Sequence, residues 1–134
     1  MKKYLFTTRM EVRDYECDIQ GIVNNANYLH YMEHTRHKFI QTLGLDFAGL
    51  HDSGIDVVVA RMNLQYKSPL HSNDRFISRL HMTKEGLRYV FHQSIVRKED
   101  ARLCLKATVE AVCVINGRLS DSEILQDAFS SYLQ

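Results

Sequence analysis

The first part of the chain alternates between apolar and polar positions and then loses its period. Residues 4–13 alternate with a period of two, which predicts a strand with one buried face. The side chains on that face are Tyr4, Phe6, Met10 and Val12. Residues 14–25 have little period and contain Gly21, so we expect a loop there.

The next segment takes the spacing of an amphipathic helix. Residues 26–43 predict one long helix, capped at its start by Asn24 or Asn25 and ended by Gly44. Its predicted stripe runs through Tyr28, Leu29, Met32, Arg36, Phe39, Ile40 and Leu43. A second, short helix is expected at about 47–51.

The rest of the chain returns to a period of two and is broken by turn signals. Strands are predicted near 58–66, 76–82, 87–95 and 103–115. In the first of these, the side chains expected to be buried are Val58, Ala60, Met62, Leu64 and Tyr66. Residues 120–133 predict a terminal helix, started by Ser120 or Asp121.

This order of elements predicts an α+β fold, because the strands are not separated by crossover helices. One long helix packed on a five-stranded antiparallel sheet is the simplest arrangement. The last strand also carries Cys104, Val112 and Val114 on its other face. Either the terminal helix or a second subunit must cover that face, so we expect a homo-oligomer.

Length and composition narrow the class of protein. The chain has 134 residues, which predicts a single domain over 1–134. The net charge of +1 gives no basic excess for a nucleic-acid partner. No long apolar run or signal-peptide pattern is present, and three cysteines form no disulfide or zinc pattern. We therefore expect a cytoplasmic protein without membrane insertion.

The segment 18–28 places a carboxylate just upstream of the predicted helix start. Backbone N–H groups at a helix start are unpaired and carry the positive end of the helix dipole. Asp18 beside such donors suits attack on a carbonyl, because the donors polarise the oxygen while the carboxylate acts on carbon or on water. The alternative is that Asp18 caps a turn and the asparagines cap the helix.

The same residues carry a family resemblance. Asp18-x-x-Gly21-Ile22-Val23-Asn24-Asn25-Ala26-Asn27-Tyr28-Leu29, followed by Glu33 and Arg36, resembles the 4-hydroxybenzoyl-CoA thioesterase-like family of hotdog-fold acyl-CoA thioesterases. A second, weaker block is Tyr66-Lys67-Ser68-Pro69-Leu70 with Asp74. The resemblance implies a hotdog fold, dimers formed by sheet pairing and active sites at the dimer interface.

The resemblance also implies roles for individual residues. Asp18 would be the nucleophile or the general base, and the N–H near Asn25 would hold the oxyanion. Gly21 would allow the tight turn, and Tyr28 matches the helix tyrosine of the motif. Glu33 and Arg36 match a pair taken as structural.

The substrate, an acyl-CoA, is expected to bind along the helix. Its acyl chain would be lined by Tyr28, Met32 and Val59, and its phosphates would meet basic side chains. The candidates for that contact are Arg61, Lys67 and Arg88. No cofactor or metal is required, because a thioester is already activated.

Other features are interpreted without chemistry. His30, His34 and His37 fall on one helical face, and we expect a solvated or interface row and not a metal site. Cys17 has no patterned histidine partner, so we expect an inert thiol. Two alternative functions stay open, namely an acyl-carrier-protein thioesterase and a non-catalytic acyl-CoA-binding module.

Overall fold

A computed structural model of the chain describes residues 5–133, so Tyr4, predicted to face the core, lies outside the described residues. The elements are β1 (Phe6–Glu11), a 3₁₀ turn (Asp14–Glu16), α1 (Asn25–Thr42), α2 (Phe47–Asp52), β2 (Ile55–Tyr66), β3 (Arg75–Glu85), β4 (Arg88–Arg97), β5 (Leu103–Ile115), β6 (Arg118–Ser120) and α3 (Glu123–Phe129).

The strands form one antiparallel sheet in the order β1-β3-β4-β5-β2, and α1 packs on one of its faces. This confirms the predicted α+β class and its five main strands. The short β6, which pairs with the end of β5, was not predicted. Asn116 and Gly117 make the two-residue turn of that hairpin with φ of 51° and 80°.

Helix α1 follows the predicted bounds closely. The Asn24 side chain caps it by accepting a hydrogen bond from the Ala26 amide at 2.9 Å. Gly44 follows its end with φ of 78°, a conformation that suits glycine. Most of the predicted stripe is buried, but Leu29 is 38% exposed although it shares the stripe with buried Arg36 and Ile40. Its predicted burial is wrong.

Strand β2 starts earlier than predicted and contains a bulge. Val59 pairs with Ala111 and Arg61 pairs with Glu110, so Ala60 has no opposite residue. A bulge reverses which side chains face the core on either side of it. Met62 and Leu64 therefore pack inward as predicted, whereas Val58 is 46% exposed and Ala60 is also exposed. The predicted burial of Val58 and Ala60 is wrong, and so is that of Tyr66, which is 50% exposed at the end of the strand.

The core between α1 and the sheet has two apolar parts separated by a polar layer. One part surrounds Phe39, near the end of α1, and the other surrounds Tyr31, near its start. Between them, Thr35 Oγ1 and Ser78 Oγ lie 2.6 Å apart, and Arg36 donates to Gln93 Oε1 at 2.9 Å. The four side chains that form this layer, Thr35, Ser78, Arg36 and Gln93, are all buried. Buried polar groups require such partners.

The terminal helix lies on the same side of the sheet as α1. Ser122, not Ser120 or Asp121, caps α3. Leu125 and Phe129 enter the core cluster around Phe39, so α3 leaves the opposite sheet face uncovered.

On that opposite face, Val112 and Val114 stay partly exposed. Alternation along β5 predicts that Cys104 shares this face. It does not, because the β4–β5 ladder is irregular at this point. Its side chain is fully buried in the core cluster around Tyr31, so its predicted placement is wrong.

Candidate active site

Asp18 lies at the first position of a tight turn. The Gly21 amide donates to the Asp18 carbonyl at 2.9 Å, and the Asp18 amide donates to the Ile22 carbonyl at 2.9 Å. Gly21 has φ of 78°, which an L side chain rarely adopts. Within the turn, the Asp18 carboxylate accepts from the Gln20 amide at 2.8 Å. The carboxylate is thus held in place while remaining only partly buried.

Glu16 ties this loop to α1 through its side-chain carboxylate and its backbone carbonyl. Its buried carboxylate accepts from the Arg13 amide at 2.8 Å and from the Tyr31 hydroxyl at 2.9 Å. Its carbonyl accepts from the Asn24 amide at 3.0 Å and from Asn27 Nδ2 at 2.8 Å. Burial and the adjacent Glu16 carboxylate raise the pKa of Tyr31, which keeps its hydroxyl a donor.

The start of α1 presents a backbone N–H that has no hydrogen-bond acceptor among the described residues. The Asn24 side chain takes the Ala26 N–H, and the Asn27 amide donates to the Asn24 carbonyl at 2.9 Å. The Asn25 N–H donates no hydrogen bond to the part of the chain that the structure describes. An unpaired N–H at the positive end of a helix is suited to hold a developing oxyanion.

A cavity of about 260 Å³ opens beside this amide, between the start of α1 and the end of β2. The side chains that line it are Ile22, Val23, Asn25, Tyr28, Tyr66, Lys67, Ser68 and Pro69. Tyr28 and Tyr66 meet edge to face, with ring centroids 5.4 Å apart. The Tyr28 hydroxyl accepts from the Leu70 amide at 3.2 Å, and burial raises its pKa, so the phenol is neutral.

The structure brings some of the predicted site residues together. Asn25, Tyr28 and Lys67 line the same cavity, and Asp18 lies in the adjoining turn without lining it. Met32 is fully buried on α1, about two turns after the helix start.

Other predicted residues lie elsewhere. Val59 lines a second cavity of about 280 Å³, farther along α1. Arg61 and Arg88 both contact Glu110, with N–O distances of 3.8 and 2.9 Å. Because Glu110 alternates with the inward-facing Val109 of β5, these arginines lie on the sheet face opposite α1, away from the cavity.

Sequence reasoning missed two residues of this region. Tyr66 forms a wall of the cavity. Its position at the start of the second motif block could have identified it as a site residue. Glu16 carries no pattern of its own, since its role depends on Tyr31 and Asn27, which lie more than ten residues away.

Cys17 and the helix histidines carry no visible chemistry. Burial, together with Asp14 and Asp18, raises the pKa of Cys17, which disfavours the thiolate that a nucleophile needs. Among residues 5–133, no three His, Cys, Asp or Glu side chains gather as a metal site.

No helix in this described range is long and apolar enough to cross a membrane.

Comparison with known proteins identifies the family. Residues 12–129 match the model of the thioesterase-like superfamily, and the chain belongs to this family. This confirms the family expected from the Asp18–Tyr28 motif.

The relatives agree with the assignment. The chain is 37% identical over 116 residues to a putative esterase of Aquifex aeolicus, covering 85% of this chain and 88% of that protein. It is 32% identical over 108 residues to the chloroplastic acyl-acyl carrier protein thioesterase ATL3 of Arabidopsis thaliana, covering 80% of this chain but only 57% of that relative. It is 34% identical over 108 residues to the putative acyl-CoA thioesterase YneP of Bacillus subtilis, covering 78% of this chain and 76% of that protein.

A solved structure supports the fold. Slr0204, a 1,4-dihydroxy-2-naphthoyl-CoA thioesterase from Synechocystis, superposes with a TM-score of 0.87 at 19% identity, covering 93% of this chain and 95% of that chain. At this identity the likeness bears on the fold, and it confirms the expected hotdog architecture.

Proposed function

We propose that the protein hydrolyses acyl-CoA thioesters to a free acid and CoA at the start of α1. The observation that carries this proposal is the unpaired backbone N–H of Asn25, a residue that lines a cavity beside the turn that holds Asp18. Membership of a thioesterase family and the name of the relative YneP support the same substrate class.

In this mechanism the Asn25 N–H binds the thioester carbonyl oxygen and stabilises its developing negative charge. A preorganised donor of this kind lowers a barrier by about 3–4 kcal/mol. Asp18 acts by one of two routes. It attacks the carbonyl carbon, expels the CoA thiolate and leaves an anhydride that water hydrolyses, or it takes a proton from the water that attacks directly.

The acyl group would run along α1 from Tyr28 past Met32 toward Val59. The CoA moiety would remain outside the cavity, where Lys67 is the nearest of the predicted basic side chains. Arg61 and Arg88 would contact CoA phosphates only if the nucleotide crossed to the other sheet face.

A second copy of the chain would complete the assembly by pairing along β2. This strand has β5 as its one neighbour, spans twelve residues and keeps Val58, Val59 and Tyr66 between 42% and 50% exposed. A long apolar edge strand is a template for pairing. The free cysteines support a reducing compartment, the cytoplasm.

A second candidate substrate is an acyl-carrier-protein thioester, favoured by the name of the relative ATL3. The chemistry at Asp18 would be the same, and only the thiol carrier would differ.

Thiol release from matched acyl-CoA and acyl-carrier-protein substrates tests both candidates. Asp18→Asn should lower turnover about 10²–10⁴-fold if Asp18 is a base, and more if it is a nucleophile. Asp127→Asn, an exposed aspartate on α3, is the charge-matched control and should keep full activity. Near-normal turnover by Asp18→Asn would overturn the assignment.

A further inference from the structure

We infer that Arg36 forms a subsite at the far end of the acyl path, and that it selects acyl groups bearing an oxygen acceptor remote from the thioester. This inference rests on the proposed function and names the substrate class that the site favours. Its physical basis is a buried guanidinium that faces a cavity with most of its donors unused.

The Arg36 side chain is buried without a carboxylate partner. Arg36 is 7% exposed, and Nη1 donates to Gln93 Oε1 at 2.9 Å. Gln93 in turn donates to the Met32 carbonyl at 3.1 Å, so this partner is neutral and already engaged. Glu33 acts on Arg36 only at longer range, because no carboxylate of residues 5–133 comes within 4 Å of the guanidinium.

This cavity has a mixed lining, with Glu33, Arg36 and His37 facing the apolar side chains of the sheet and of α2. A guanidinium carries five N–H donors in a fixed fork. Removing it from water is unfavourable unless acceptors replace the lost hydration, and burial accordingly lowers the pKa of Arg36. One amide oxygen satisfies a single donor, and the other guanidinium nitrogens keep accessible surface, so the fork can bind an oxygen supplied from the cavity.

The cavity that Arg36 lines lies farther along α1, in the direction of the proposed acyl path. This cavity has a volume of about 280 Å³. The residues that line it are Glu33, Arg36, His37, Phe47, Val57, Val59, Phe91 and Ala111. Like the catalytic cavity, it lies between α1 and β2, because each is lined by side chains of both elements. Tyr66 lies beside Tyr28 and Val59 beside Arg36, so β2 runs antiparallel to α1 along the path.

The spacing along α1 indicates which acyl groups reach Arg36. Eleven residues separate Asn25 from Arg36, which is about 16 Å of helix at 1.5 Å per residue. Side chains lean toward the helix start, and the bond to Gln93, which also reaches the Met32 carbonyl, places the guanidinium nearer to Asn25 than that. An acyl group of medium length would therefore bring its distal end to the guanidinium.

The test uses three series of CoA thioesters with hexanoyl, octanoyl and decanoyl chains. One series is unsubstituted, one carries a terminal hydroxyl and one carries a terminal carboxylate. At the chain length that reaches Arg36, we expect an oxygenated substrate to have about tenfold higher kcat/KM than the plain chain, the effect of one charge-assisted hydrogen bond. The two oxygenated series show whether a hydroxyl or a carboxylate is the preferred acceptor.

Variants assign that preference to Arg36. Arg36→Met should abolish the preference, measured as the ratio of kcat/KM between oxygenated and plain chains of the same length, and Arg36→Lys should keep part of the carboxylate preference. Lys38→Met removes an exposed charge from the same helix and should leave the preference intact. If Arg36→Met does not fold, the wild-type ratios and Arg36→Lys decide the matter.

Equal kcat/KM across the three series, or a preference that survives Arg36→Met, would overturn the inference. Failure of the proposed function is a different result, since every thioester would then be inert. In that event calorimetric binding of the same carboxylated and plain thioesters still tests Arg36, with tighter binding of the carboxylated series expected.

Discussion

The Tyr31 hydroxyl donates a 2.9 Å hydrogen bond to the Glu16 carboxylate, and this bond joins the second turn of α1 to the loop that carries Asp18. Both residues are largely buried, so water competes only weakly for this bond. Two further bonds, from Asn24 and Asn27 to the Glu16 carbonyl, extend the connection to the helix start. The position of Asp18 relative to the Asn25 amide therefore depends on Glu16.

Tyr31→Phe should lower kcat more than it raises KM. The change leaves the Glu16 carboxylate buried with one donor fewer, which costs about 1–3 kcal/mol of unfolding free energy. Urea unfolding measures that loss, and steady-state kinetics on a thioester of proven turnover measures the effect on Asp18. If Tyr31→Phe loses this stability without any change in kcat, then Glu16 supports the fold and not the placement of Asp18.

Gly21→Ala should reduce turnover through the backbone of the Asp18 turn. A Cβ at Gly21 would meet no atom within 4 Å, so its cost is the positive φ of 78°, about 1–2 kcal/mol. Gly44→Ala is a matched control, because Gly44 has the same φ, equally open space and a position at the other end of α1. Both variants should lose similar stability in thermal unfolding, and only Gly21→Ala should lose activity.

Acid should weaken the attachment of α3 through Asp121. Burial opposes ionisation of Asp121, but hydrogen bonds from Lys84 and Tyr89 outweigh it and hold the pKa below its usual value. A depressed folded pKa gives stability that is complete above the unfolded value of about 4 and is lost as the pH falls through the folded value. Unfolding free energies of wild type and Asp121→Asn, measured between pH 6 and 3, should therefore converge at acid pH. A constant difference would contradict this.

Activity should fall on dilution if the active site is completed by pairing along β2. A standard interface buries on the order of 1,600 Å² and persists at micromolar concentration when well packed. Sedimentation velocity gives the dimer fraction, and specific activity measured over the same dilution series should follow it. A monomer with full specific activity would refute the shared site.

The β5 strand shows how far local pattern reaches. Its predicted bounds, 103–115, coincide with the structure, because the alternation from Leu105 onward and the Asn116-Gly117 turn are encoded within a few neighbouring residues. Strand β2 has an equally apolar sequence, yet its exposed Val58 was predicted to be buried. The bulge at Ala60 depends on pairing with residues about fifty positions later, which no local pattern contains.

The candidate site shows the same division between what local sequence predicts and what tertiary packing sets. The sequence by itself determined the family, the Asp18 turn, the capped start of α1 and the order of the main elements along the chain. These follow from short motifs and from periods of two and 3.6. Only the tertiary structure decided that Glu16 anchors the loop, that Arg61 faces away from the cavity at the helix start and that Arg36 lines a second cavity between α1 and β2. These placements arise from strand register and from contacts between distant segments, and a side chain's direction is defined only when those segments pack.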